Sequence, residues 1–206
     1  MKPFEQVSGA VIPFPMDDVN TDQIIPSAYL KDLHANMADG FMAYVRRKPD
    51  GTSIASCVFE QAQYLGAPIL LVGSNFGCGS SREHAVWAMQ AFGVRCVAGY
   101  RLAEFFRDNC YKNGVLPIEL TASAQSDWMA VAQQAGGQLP FEVNLQAQTV
   151  TGPEGFSLAF DVPSAQRMAL LKGLDDVGMT LLHLAQIEAF EARQMPGPAS
   201  SRQIDV

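Results

Sequence analysis

The sequence predicts an α/β protein whose mainly parallel central sheet is flanked by helices, and three observations carry that expectation. Three apolar runs, Ile69–Val72, residues 94–98 and residues 115–118, alternate with stretches of helical periodicity. Strand, helix and strand joined by short connections imply right-handed crossovers and therefore parallel strands. Gly73, Gly77 and Gly79 crowd the link between the first run and the helical pattern after it. In open α/β sheets such a link lies beyond the carboxyl ends of the strands, where ligands bind. Beyond residue 140 the period changes to two, over residues 141–145 and 156–160 with 149–151 between them, as half-buried strands require.

Composition narrows the function classes. A chain of 206 residues suffices for one sizeable core or two tightly joined lobes. With 48% hydrophobic and 17% charged residues it reads as globular rather than disordered. A net charge of −7 leaves no basic stripe for nucleic-acid phosphates. No apolar run approaches the ~20 residues that cross a bilayer, and Met1-Lys2-Pro3-Phe4-Glu5 lacks the apolar core of a signal segment. A cytoplasmic protein is expected, with neither nucleic acid nor membrane as partner. Cys57, Cys78, Cys96 and Cys110 include no C-x-x-C pair, and His34, His84 and His183 are scattered. No self-contained zinc or iron–sulfur site is expected, and the thiols read as reduced and mostly buried.

Taken in order, residues 7–14 read as a short apolar strand broken by Pro13 and Pro15. The acidic turn Asp17-Asp18-Val19-Asn20-Thr21-Asp22 follows. Its three aspartates are either a solvated loop or a way to place one carboxylate at a site; the calcium-loop pattern is absent. Residues 27–56 lose periodicity and carry turn signals at Asp39-Gly40 and Pro49-Asp50-Gly51. They read as a long, partly helical excursion of the kind that carries specificity. Its basic triplet Arg46-Arg47-Lys48 reads as a solvated face. Residues 59–65 read as a short helix feeding the buried strand Ile69–Val72.

Ala85, Val86, Ala88, Met89 and Phe92 recur at helical spacing up to Gly93, and a second helix over 102–113 closes on Gly114. A helix over 126–135 is expected, with Ser126 as its cap and Gly136-Gly137 as its stop. Pro163 opens a helix to Lys172, and an amphipathic helix runs over about 179–193. Residues 1–194 are expected to form one domain and residues 195–206, rich in Pro, Gly and Ser, a flexible tail.

The central loop admits two readings. Ser80 and Glu83 fit the S-x-x-E capping box, in which each side chain satisfies an orphan N–H. Yet Arg82 sits in the first helical turn, where the macrodipole disfavours a cation unless an anion is near. Gly77 and Gly79 flank Cys78, a sign of positive φ or close approach. Both points favour an anion-binding loop over a cap alone. No Gly-Lys-Ser/Thr follows, and Arg82 stands where a dinucleotide fingerprint has its third glycine, so nucleotide readings fall away.

Three stretches together resemble one family. They are Asn20-Thr21-Asp22-Gln23-Ile24-Ile25-Pro26, Gly73-Ser74-Asn75-Phe76-Gly77-Cys78-Gly79-Ser80-Ser81-Arg82-Glu83-His84-Ala85, and Asn109-Cys110-Tyr111-Lys112-Asn113-Gly114-Val115-Leu116-Pro117-Ile118. These look like the small subunits of 3-isopropylmalate dehydratase, separate-chain equivalents of the swivelling fourth domain of aconitase. Gly173-Leu174-Asp175-Asp176-Val177-Gly178-Met179-Thr180-Leu181 adds to the likeness, which spans about residues 2–193.

The resemblance implies a swivelling β/β/α domain of the aconitase type. It implies a hydro-lyase of leucine biosynthesis that moves a hydroxyl between adjacent carbons of a hydroxy-dicarboxylate by dehydration and rehydration. The cofactor, a 4Fe–4S cluster, is expected in a large-subunit partner, with no metal held by this chain. By motif match Ser80 is the base that removes the proton α to a carboxylate. Ser81 and Arg82 hold a substrate carboxylate, Asp22 lies at the shared site, and Leu30 suits an apolar isopropyl group. Gly77, Cys78, Gly79, Glu83 and His84 support the loop. His84 either orients it or is a satisfied core or interface histidine. Cys78 is either a thiol activated by the helix start or a small residue packed between glycines.

The chemistry suits these residue types. A carbon acid beside a carboxylate gains negative charge, which preorganised donors offset. Arg82 offers a planar fork matched to a carboxylate. A serine becomes a base only in a positive, water-excluding surrounding. One departure stands out: after Tyr29-Leu30-Lys31 the family runs into a Thr-Arg-Thr-Gly-like stretch, where this chain has Asp32-Leu33-His34-Ala35-Asn36-Met37-Ala38-Asp39-Gly40. It leaves open a related hydro-lyase of dimethylmalate, methylcitrate, citraconate or homoaconitate type. A non-catalytic anion-binding module is the reading from another class.

Overall fold

The first apolar stretch is shared between two sheets. In the computed structural model, which describes residues 1–30 and 36–194, Gly9 and Ala10 divide it into β1 (Gln6–Gly9) and β2 (Val11–Phe14). β1 alternates exposed and half-buried positions, as antiparallel pairing with one wet face requires. β2 is buried almost throughout, as a parallel strand covered on both faces. The acidic turn then enters α1 (Thr21–Ile24), a 3-10 turn over Ser27–Leu30, α2 (Met37–Gly40) and α3 (Ala43–Arg46). Arg46 corrects the reading of the basic triplet as solvated, for it is buried and paired with Glu60 at 2.6 Å.

The helix expected over 59–65 is instead two 3-10 turns, Val58–Glu60 and Ala62–Tyr64, joined through extended Gln61. So short a segment does not repay helix nucleation, and its shape follows the burial of Phe59 and Tyr64. β3 (Ile69–Val72), α4 (Glu83–Phe92), β4 (Cys96–Tyr100), α5 (Glu104–Asn113) and β5 (Leu116–Leu120) follow with the expected alternation. The sheet runs β2-β3-β4-β5, all parallel, with Val11, Ile69, Cys96 and Leu116 in register. Pro13 and Pro117 fall on the two edge strands, where a missing N–H breaks no ladder.

Alternate side chains of β3 serve two apolar clusters. Leu70 and Val72 join Ile12, Val86 and Met89 with the α1–α3 excursion. Ile69 and Leu71 join Trp128 and Met129 of α6 (Ala122–Ala135). Thr121 caps α6 by accepting from the Ala124 N–H at 3.2 Å, so the helix starts earlier than a cap at Ser126 would allow. Ser126 lies inside it and donates to the Ala122 carbonyl at 3.0 Å.

β6 (Phe141–Asn144), β7 (Thr149–Thr151) and β8 (Ser157–Ala159) complete an antiparallel sheet of order β1-β6-β7-β8. Phe141, Val143 and Val150 from it enter the same cluster as Ile69 and Trp128. α7 (Ser164–Lys172) ends on Gly173 in the left-handed region. The final helix, expected to be continuous, breaks near Leu182 and His183 into α8 (Asp176–Leu181) and α9 (Leu184–Gln194), with Asp175 capping α8. The tail read over residues 195–206 lies outside the described residues. No described helix is long and apolar enough to cross a membrane.

Candidate functional site

The site grows from the carboxyl end of β3, where two loops are sewn together. Gly73 is pressed against the Met16 carbonyl, so a side chain there would collide with backbone. All three aspartates of the acidic turn reach the glycine loop. Asp17 accepts from the Ser74 N–H at 2.6 Å, and Asp18 accepts from Asn75 Nδ2 at 2.8 Å. Asp22 pairs with Arg82. Between them the Gly77 N–H donates to the Val19 carbonyl at 2.8 Å and the Thr21 N–H to the Cys78 carbonyl at 2.9 Å. Thr21 Oγ1 donates to the Ser80 carbonyl at 2.9 Å.

Gly77 and Gly79 have φ of +82° and +88°, conformations that glycine takes without strain. A side chain at Gly77 would also strike the Phe106 ring. This is how the chain turns from β3 to α4 in so few residues.

The capping box at Ser80 and Glu83 is not formed. Arg82 is the N-cap of α4, without a side-chain cap bond. Glu83 Oε1 instead accepts from Asn113 Nδ2 at 2.8 Å, and Trp87 Nε1 donates to Asn113 Oδ1 at 2.9 Å. One asparagine at the end of α5 thus ties down the first two turns of α4. The complete capping box belongs to α1, where Asn20 and Gln23 bond reciprocally at 2.9 Å. That helix presents Asp22, and so answers the demand for an anion near Arg82. Asn20-Thr21-Asp22-Gln23 carries a cap-like signature that could have revealed α1; Asn113 carries no local signal, because its role depends on α5 meeting α4.

Of the residues singled out in the sequence, Asp22, Gly77, Cys78, Gly79, Ser80 and Arg82 are brought together directly. Ser80 and Ser81 are exposed, the Asp22 side chain is 56% exposed, and that of Arg82 only 27%. His84 lies against Trp87 with ring centres 4.5 Å apart. Leu30 is half-buried and packs on the core below the excursion. Of the divergent stretch after it, residues 36–40 include α2, while Lys31 to Ala35 lie outside the described residues. Burial and the charge of Asp18 push the Cys78 thiol up, against the reading of an activated thiolate.

Clefts of about 390 and 310 Å³ lie elsewhere, the smaller one behind the end of β3 between Asp17, Gly73 and α6. The Ser80–Arg82 loop stands on the open surface. Its arrangement presents two hydroxyls beside a guanidinium whose charge is met by one exchangeable carboxylate. Among the described residues no three His, Cys, Asp or Glu side chains converge as a metal site. Burial raises the Cys57, Cys96 and Cys110 thiols above their usual value.

Residues 1–123 match the family described as the aconitase C-terminal domain, and residues 127–164 match LeuD_N. The chain is 41% identical over 197 residues to a protein from Brucella anthropi named 3-isopropylmalate dehydratase small subunit, covering 94% of this chain and 96% of that one. It is 42% identical over 192 residues to a protein of the same name from Cereibacter sphaeroides, covering 93% and 95%. A crystal structure of a 3-isopropylmalate dehydratase from Methanocaldococcus jannaschii shares the fold, with a TM-score of 0.61 at 21% identity over 92% of this chain and 99% of that one.

Proposed function

The chain belongs to the 3-isopropylmalate dehydratase small subunits of the aconitase type, and from that premise we propose how it contributes to a hydro-lyase acting in the cytoplasm. As a small subunit it works with a large-subunit partner. In this reading the substrate is 2-isopropylmalate, interconverted with 3-isopropylmalate through loss and return of water. A 4Fe–4S cluster on the large subunit supplies a Lewis-acid iron for the leaving hydroxyl.

The chain's own residues do the rest. Arg82 exchanges Asp22 for a substrate carboxylate, which its fork receives with two parallel hydrogen bonds. Ser81 adds a donor to the same carboxylate. Ser80 Oγ takes the proton from the carbon beside that carboxylate and returns it to the neighbouring carbon when water adds back. Closure against the large subunit removes water from the exposed loop, which strengthens each of these interactions. Thr21 fixes the Ser80 carbonyl, so the hydroxyl enters the closed site from a braced backbone.

The observation that supports this most is the open placement of Ser80, Ser81 and Arg82 at a sheet end, with a carboxylate already on the guanidinium. The decisive experiment is co-expression with the large subunit and an assay across hydroxy-diacids. Ser80→Ala should lower kcat about 10²–10⁴-fold with folding and assembly intact. Retained activity would remove Ser80 as the base. Binding without turnover on any acid would favour the anion-binding module. The departure over residues 32–40 gives the second reading, a related hydroxy-diacid, and the same panel decides it by relative kcat/KM.

A further inference from the structure

Asn113 is the last residue of α5, and every polar atom of its side chain is engaged. Nδ2 donates to Glu83 Oε1 at 2.8 Å and to the Asn109 carbonyl at 2.9 Å, while Oδ1 accepts from Trp87 Nε1 at 2.9 Å. Turned over, the amide would set its oxygen against the Glu83 carboxylate and its N–H groups against the Trp87 donor. Its neighbours therefore fix which way it faces. Gln90 Nε2 also donates to the Asn113 carbonyl, at 2.5 Å. Three side chains of α4, at 83, 87 and 90, thus converge on one residue of α5.

Glu83 is the one that bears on the site. It follows Arg82 directly, and Arg82 is the N-cap of α4 with no side-chain cap bond. A carboxylate in the first turn of a helix is drawn to the N–H groups there and to a neighbouring guanidinium. The same features draw a substrate carboxylate, so a loose Glu83 competes with it and repels it. In the structure Glu83 is half-buried and turned toward α5. Among the described residues the ion pair of Arg82 is with Asp22 instead. Asp22 stands on a separate element, α1, and is largely exposed, so it can give way to a ligand. Glu83 is adjacent in the chain and cannot withdraw; only its side chain can be aimed elsewhere. The donor that aims it is the Asn113 amide.

We infer that Asn113 is a positioning residue whose amide holds the Glu83 carboxylate away from Arg82, keeping the guanidinium open to a carboxylate of the hydroxy-diacid. The inference rests on the reaction proposed above. Losing the amide weakens substrate binding without touching the group that moves the proton, so the effect falls on KM.

The test uses the complex with the large subunit and 2-isopropylmalate as substrate. Values of kcat and KM are measured for wild type, Glu83→Gln, Asn113→Ala and Asn113→Leu, and for the last two combined with Glu83→Gln. Leu keeps the volume of Asn and, like Ala, offers no donor. Both single variants at 113 should raise KM about two- to tenfold, with kcat changed less than about twofold. Adding Glu83→Gln should bring KM back to within about twofold of Glu83→Gln alone. The double variants still lack the tie to α5, so recovery there comes from loss of the charge and not from repaired packing. A KM that does not rise, or that stays raised in the double variants, makes Asn113 merely structural and overturns the inference. So does failure of both variants at 113 to assemble, or a Glu83→Gln that raises KM as far as they do. Wild type inactive on 2-isopropylmalate and on every other hydroxy-diacid overturns the reaction reading and this inference with it; an active wild type with unrescued variants overturns only the role of Asn113.

Discussion

Arg82 and Arg46 are both arginines beside carboxylates, and their surroundings give them opposite tasks. Arg82 is partly open and its carboxylate partner more open still, so the pair can exchange with a ligand at small cost. Replacing Arg82 by Lys keeps the charge but loses the fork, and kcat/KM should fall about 10–100-fold, read from steady-state kinetics of the assembled enzyme. The Arg46–Glu60 pair is closed. Partial burial raises the Glu60 carboxyl, but hydrogen bonds from Arg46 and Ser53 and the charges of Arg46 and Arg47 outweigh this and hold it below its usual value of 4.5. A carboxyl depressed in the folded state contributes stability above its unfolded pKa and loses it as pH falls through the folded value. Glu60→Gln should therefore be less stable than wild type at pH 7 by about 2 kcal/mol. The gap should close on acidification below about pH 4.5, as followed by thermal melts at both pH values. Neither pairing was visible locally: Arg82 announced its need for an anion by standing at a helix start, whereas Arg46 sits in a basic triplet and its inward turn depends on Glu60 and Phe92 arriving from elsewhere.

Elements were legible in kind and less so at their ends. The β3–α4–β4–α5–β5 succession followed from apolar runs and helical spacing, and Gly93 and Gly114 close their helices in the left-handed region as expected. Starts were harder, because several hydroxyls compete for each cap and only packing selects among them. In α6 the choice is directly testable. Thr121→Ala should cost about 1 kcal/mol by removing the cap to Ala124, whereas Ser126→Ala should be neutral or slightly stabilising, since its hydroxyl only back-bonds within the helix. Equal losses in denaturant melts would reverse that assignment. The glycine loop is stricter. Gly77→Ala meets both a positive φ and the Phe106 ring. It should destabilise by about 2–3 kcal/mol, with activity falling further than stability because the same turn carries Ser80.

At the scale of the molecule, the split of the first strand was not legible, since an apolar stretch gives no sign that its halves serve different sheets. The split has a structural consequence. β1 carries the antiparallel sheet and β2 the edge of the parallel one, and both sheets drain into one apolar cluster around Trp128, Ile69 and Phe141. The site loop rises from the end of β3, and its Phe76 is buried in the other apolar cluster, while the Ser80 and Ser81 residues are exposed. Folding and catalysis should separate accordingly. The isolated chain should melt in a single cooperative transition and show no dehydratase turnover. Adding large subunit to a fixed amount of it should raise activity from zero to a plateau, and substrate should stabilise the mixture more than either chain alone, as binding to an assembled native state requires. A chain that unfolds broadly until its partner is added would mean that the large subunit completes the core, and a chain active alone would mean that the exposed loop is already a whole site.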